Sequence, residues 1–309
     1  MIGGSAIVQP HIWSSLGSAD EEFCAVLRSL LTALHVSVCI AACTLAPGRY
    51  ADERAEKLGF ERSLVAGNGF QHVVYLKRAD TASAVVHVYL EGDGSPWIRG
   101  RWISTDPGPR EPLMLGLMAL DSAPSLYLGR PCYHGLSDQT PCDPALWTHG
   151  RYSDRVVQAM AQALEALVRA HGYRHCVLIG YSGGGTLAML LAERVANVLA
   201  VVTLAGNLDP DAWARHHDYS PLLTSLNPAQ RPPLPERIYQ LHLAAENDDI
   251  VPPELSRAAL LKQPGAEFRL IPDYDHVCCW HELWPSVLAE VTARFENRGS
   301  ADRGTIGKS

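Results

Sequence analysis

Aromatic side chains make up only 7% of the 309 residues, with five Phe, and the chain has no block of like charge. The 26 Lys and Arg are scattered and the net charge is −7, so no basic stripe exists to hold a phosphate backbone, which argues against a nucleic-acid partner. Eight cysteines, at 24, 39, 43, 132, 142, 176, 278 and 279, form no CxxC pair and no Cys/His zinc spacing. A structural metal is therefore not expected. Internal repeats and low-complexity linkers are also missing, which leaves one sizeable core at 47% apolar composition.

The most hydrophobic stretch, residues 25–43 (AVLRSLLTALHVSVCIAAC), is interrupted by Arg28 and His35 and followed by Pro47-Gly48. It is marginal as a membrane span. A basic residue, an apolar run and then small residues is the pattern of a secretory signal. Ile40-Ala41-Ala42-Cys43 resembles a bacterial lipobox, which implies lipidation at Cys43 and a lipid-anchored or periplasmic protein of the bacterial cell envelope. More than twenty residues, among them Asp20, Glu21 and Glu22, precede Arg28; translation beginning near Val26 or Leu27 would restore the spacing of a signal. A helix packed on the domain is the other reading. In an oxidising compartment Cys132 and Cys142, flanking a short Pro-, Gly- and Asp-containing loop, become a candidate disulfide.

From residue 44 to about 297 the pattern predicts a single α/β domain. Short β-rich runs at 70–77, 84–90, 125–128, 175–180, 199–204, 238–243 and 267–271 alternate with helices, clear at 154–169 and 184–195, with a third at about 282–296 and a short polar helix candidate at 50–58. Buried strands between helices imply a mostly parallel sheet covered on both faces, whose ligands bind beyond the strands' carboxyl ends. Residues 206–236, rich in Pro, Asn and Trp, are long for a simple connection and suit a lid or substrate-lining insertion. Residues 298–309 read as a polar, disordered tail.

Four loops carry the chemistry. Gly180-Tyr181-Ser182-Gly183-Gly184 fits G-x-S-x-G between an apolar strand and a helix, where a serine on a sharp turn is exposed and the helix N-terminus favours developing negative charge. A dinucleotide loop is excluded because Ser182 occupies the third position of G-x-G-x-x-G. A serine needs a base and the base needs an orienting carboxylate. Asp248, with Asp249 as fallback, follows the next-to-last strand; His276 follows the last, and His281 falls a turn into the next helix. Glu91-Gly92-Asp93-Gly94 follows the strand at 84–90 and would supply one oxyanion donor from Asp93, or else Gly92, beside that of Gly183. Trp97, Trp102, Pro131, Tyr133, Trp147, Arg151, Tyr181, Asn207 and Trp213 lie near these loops, with Trp97, Trp147, Tyr181 and Trp213 as candidate substrate contacts or, equally, core cover.

The order Ser, Asp, His in these loops, and an Asp248 run resembling G-x-x-D-x-x-V-P with Ala245 in place of the glycine, resemble the α/β hydrolases over residues 82–296. The chain also resembles bacterial α/β-hydrolase lipoproteins in its EGDG (91–94), GYSGGG (180–185) and AGNLD (205–209) stretches, although Glu91 stands where a His is usual. The resemblance implies a serine hydrolase with Ser182 as nucleophile, His276 as base and Asp248 as orienting acid, acting on a carboxylic ester with no metal or organic cofactor. It leaves open a thioesterase, peptidase or acyltransferase, and a non-catalytic envelope protein. The expected partner is a small-molecule or lipid ester, with membrane association through the anchor at Cys43.

Overall fold

The computed structural model describes residues 48–78 and 83–301; the signal-like segment and Cys43 lie outside them. Strands β1 (Glu61–Gly67), β2 (Phe70–Lys77), β3 (Val85–Leu90), β6 (Ser125–Leu128), β7 (His175–Tyr181), β8 (Val198–Leu204), β9 (Tyr239–Ala245) and β10 (Glu267–Ile271) form one sheet in the order β1-β2-β6-β3-β7-β8-β9-β10. The first two junctions are antiparallel and the rest parallel. A separate hairpin joins β4 (Trp97–Ile98) to β5 (Trp102–Ile103).

Alternation along β3 divides the core. Val86, Val88 and Leu90 enter one apolar cluster with helices α3 (Asp154–Ala170) and α4 (Gly183–Ala192). Val85 and Tyr89 point to the other, shared with α1 (Gly48–Lys57), α2 (Leu113–Ala119) and α7 (Trp280–Ala301). α3 buries Val156, Met160, Leu164 and Leu167 at helical spacing, whereas all ten residues of α4 are buried, as befits a helix enclosed on every side. Two shorter helices, α5 (Pro210–His216) and α6 (Pro253–Leu260), follow β8 and β9. Register aligns the strand ends: Leu90 lies opposite Gly180, Tyr181 opposite Leu204, Leu204 opposite Leu243, and Ala245 opposite Ile271. The loops that follow are thereby brought to one edge.

Differences from the sequence expectation are local. The segment at 206–236 contains α5, and α7 runs to Ala301, into the stretch read as a tail. β1 and α2 have no counterpart in the sequence reading. Cys132 and Cys142 are joined by a disulfide, and so are the adjacent Cys278 and Cys279.

Three histidines within this core lose basicity through burial. His72 falls to about 4, His134 to about 4 and His242 to about 3, from 6.5. Their neutral forms fit the fold, so the stability they permit is present above pH 6.5 and is lost as the unfolded state gains protons below it. Buried Glu91 opposes them: its carboxyl is raised to about 7, so folding favours its protonated form as pH falls from 7 toward 4.5. Three groups against one leaves a net loss of about 2 kcal/mol per pH unit near pH 5.5. Urea unfolding at pH 7.0, 6.0 and 5.0 is expected to give falling stability, and a flat profile would show that the histidines are hydrated.

Candidate active site

Ser182 caps α4 with φ 52° and ψ −120°, a left-handed conformation that costs a non-glycine residue roughly 1 kcal/mol. Its N–H donates to the Leu204 carbonyl at 3.0 Å, and its carbonyl accepts from Asn207 N–H at 3.0 Å, so β8 holds the strained turn from the side. The tight packing also explains Gly184: a Cβ there would lie 2.2 Å from the Leu90 carbonyl oxygen of β3.

Three side chains delivered by separate strands meet beyond this turn. Ser182 Oγ lies 3.1 Å from His276 Nε2, and His276 Nδ1 lies 2.8 Å from Asp248 Oδ2. Asp248 is 3% exposed and fixed by the N–H groups of Ile250 (2.9 Å) and Val251 (2.7 Å), which donate to its Oδ1. Asp249 is exposed. The His276 carbonyl accepts from Tyr181 Oη at 3.1 Å and Trp280 Nε1 at 3.0 Å, so both flanking elements hold the loop. His281 sits instead on α7 against Gly116 of α2.

Beside Ser182 runs the 91–94 loop: a Cβ on Gly92 would stand 3.4 Å from Ser182 Cβ. The loop is clamped by groups that sequence spacing does not reveal. Asp93 Oδ1 pairs with Arg130 and Oδ2 with Arg151, each at 2.8 Å, and Tyr152 Oη donates to both oxygens at 2.7 Å. Burial alone would raise the Asp93 carboxyl, but Arg130 and Arg151 outweigh it and bring it down to about 2. The carboxylate presses on the serine turn, so a Cβ on Gly183 would lie 2.0 Å from Asp93 Oδ1. Gly183 thus serves a packing need in addition to the amide expected of it. Glu91, at the place where a histidine is usual, accepts from Gly92 N–H and from Met114 N–H of α2, both at 3.1 Å.

Neutralising Asp93 would strand two buried guanidinium groups. Asp93→Asn is expected to lower unfolding stability by about 3–5 kcal/mol in urea titrations. A loss below about 1 kcal/mol would show that the arginines are balanced by another group.

The cleft above Ser182 encloses about 940 Å³ and is lined by Trp97, Arg151, Tyr181, Trp213, Tyr219 and Ile250 among others. Of the four candidate substrate contacts, Trp97, Tyr181 and Trp213 line it and Trp147 does not. Trp147 is 3% exposed, packs in the core and donates its indole N–H to the Ser104 carbonyl at 3.1 Å. Tyr133 and Asn207 are buried, and Tyr133 Oη donates to the Asp93 carbonyl at 3.1 Å. Tyr219 escaped the sequence reading because only the folded 206–236 segment carries it to the rim, which Ile250 reaches from the Asp248 loop. Among the described residues no three His, Cys, Asp or Glu side chains converge to hold a metal ion.

The family described as the alpha/beta hydrolase fold matches residues 131–225. Epoxide hydrolase 3 of Xenopus tropicalis is 35% identical over 69 residues, 22% of this chain and 18% of that protein's length. An esterase of Pyrococcus furiosus superposes with a TM-score of 0.55 at 14% identity, covering 77% of this chain and 92% of that one. A membrane phospholipase A described as a bacterial virulence factor gives a TM-score of 0.52 at 14% identity, over 90% of this chain and 98% of that one. Sheet order, the strand–Ser182–helix turn and these matches agree: the chain has the α/β-hydrolase fold.

Proposed function

We propose that the chain is a serine hydrolase that cleaves a carboxylic ester through an acyl-serine intermediate, with Ser182 as nucleophile, His276 as general base and Asp248 as the acid that orients it. The observation that carries this reading is the continuous contact from Ser182 Oγ to His276 Nε2 at 3.1 Å and from His276 Nδ1 to Asp248 Oδ2 at 2.8 Å. In that mechanism Oγ attacks the ester carbonyl while Nε2 takes its proton, and buried Asp248 stabilises the imidazolium. The carbonyl oxygen becomes an oxyanion facing the amides of Gly183, which begins α4, and of Asp93, whose side chain the two arginines hold in place. Collapse returns the proton to the leaving alkoxide oxygen; water, deprotonated by His276, then releases the acid and regenerates Ser182.

The fold shared with an esterase and a phospholipase supports ester chemistry. The mixed aromatic and polar lining of the cleft supports a small-molecule or lipid ester. An envelope location, with Cys43 as anchor, is supported by the signal-like composition of residues 25–43 and by the Cys132–Cys142 bond. Labelling with a fluorophosphonate, read by intact mass, followed by an ester panel of increasing acyl length, tests the assignment. One adduct on Ser182 and turnover of at least one acyl length are expected; an unlabelled, folded chain would overturn it.

A further inference from the structure

The β4–β5 hairpin has an unusual distribution of apolar side chains. Trp97 lies opposite Ile103 and Ile98 opposite Trp102. Successive strand residues point to opposite faces, so each face of the ribbon carries one indole and one isoleucine. All four remain partly exposed: Trp97 43%, Ile98 38%, Trp102 63% and Ile103 45%. A two-stranded ribbon has no core of its own, and it ordinarily rests one apolar face on the domain. A fluid apolar medium into which the ribbon is inserted covers both.

The turn of the hairpin adds an independent observation. Arg99 and Gly100 have φ of 52° and 64°, and Arg101 N–H donates to the Ile98 carbonyl at 3.1 Å. A turn with two left-handed residues favours Asn-Gly, so an arginine in its first central position is held at a conformational cost. Arg101 lies over the Trp102 ring at 5.5 Å. The tip therefore presents two exposed guanidinium groups, the side chain best shaped to grip phosphate, and that of Arg101 lies against an indole, a ring that favours a headgroup boundary.

We infer that this hairpin seats the protein on an anionic phospholipid surface, with Trp97, Ile98, Trp102 and Ile103 in the headgroup–acyl boundary and Arg99 and Arg101 on lipid phosphates. The cleft mouth continues the same apolar rim, since Trp97 and Gly100 line it together with Tyr219, 56% exposed, and Ile250, 52% exposed. An amphiphile leaving the surface would enter beside Ser182. The overall charge of −7 repels an anionic surface, so the attraction resides in the tip and weakens with salt.

The test is co-sedimentation of the full chain with vesicles of phosphatidylglycerol and phosphatidylcholine, against phosphatidylcholine alone, at low and high salt. Trp102→Ser and the pair Arg99→Ser/Arg101→Ser are compared with the parent; all share residues 1–47, so any difference reports the hairpin. About tenfold weaker partitioning is expected for Trp102→Ser, and about fivefold for each arginine removed, on anionic vesicles only. Matching urea midpoints confirm folding of the variants. Equal binding by parent and variants, or no salt dependence, would overturn the inference. So would self-association of the parent that Trp102→Ser abolishes without any vesicle binding, which would give the hairpin to a second copy. Binding is also measured on Ser182→Ala: an inactive chain that still partitions leaves the surface assignment standing even where the hydrolase reading fails.

Discussion

Ser182→Ala is expected to reduce ester turnover on the order of 10⁶-fold while leaving the fold intact. The size of the loss follows from the chain of contacts: with Oγ gone, His276 Nε2 has no hydroxyl to deprotonate, and the remaining contribution of the oxyanion amides acts only on slow attack by water. The small effect on stability follows from the backbone. The turn's hydrogen bonds to Leu204 and Asn207 use Ser182 main-chain groups, and alanine at φ 52° meets the same penalty as serine. Unfolding stability within about 1 kcal/mol of the parent is expected. Steady-state hydrolysis with urea unfolding on the same preparation checks both halves, and residual turnover above a hundredth of the parent's would move the nucleophile elsewhere.

Legibility in the sequence tracked how local each determinant is. The turn at Ser182 was readable because strand, glycines and helix are contiguous, and the loops at 248 and 276 because each directly follows a strand. Position relative to strand ends also separated His276 from His281, which the fold places on α7 against Gly116. β1 was hidden because ERSLVAG is mostly exposed along an edge and lacks clean alternation; pairing with β2 makes it a strand. α2 was hidden because LMLGLMA is too short and too uniformly apolar for its period to be read, and Met114, Leu115, Leu117 and Met118 are all buried. The clamp on Asp93 could not be read at all, since Arg151 and Tyr152 lie 58 and 59 residues away and nothing in their local sequence marks them as its partners. Trp147 shows the converse error: a loop tryptophan in the right neighbourhood whose indole fills the core.

The choice between adjacent carboxylates gives the second large effect. Asp248→Asn is expected to lower kcat on the order of 10⁴-fold, and Asp249→Asn by less than about threefold. Both are isosteric, so cavity formation plays no part. Asparagine at 248 can still accept from the Ile250 and Val251 amides, which now bond to Oδ1, so the loop should keep its shape. What changes is the group facing His276 Nδ1: an amide nitrogen turned toward the ring donates where a carboxylate accepted, which favours the tautomer protonated at Nε2. That tautomer cannot take the Ser182 proton, and no buried negative charge remains to stabilise an imidazolium. Asp249 is exposed, and its charge is screened by water. Measuring kcat and KM for both variants on one ester decides the assignment: a collapse confined to kcat in Asp248→Asn places the orienting carboxylate on the buried residue, whereas the reverse ranking would mean that the loop rearranges around substrate to bring Asp249 inward.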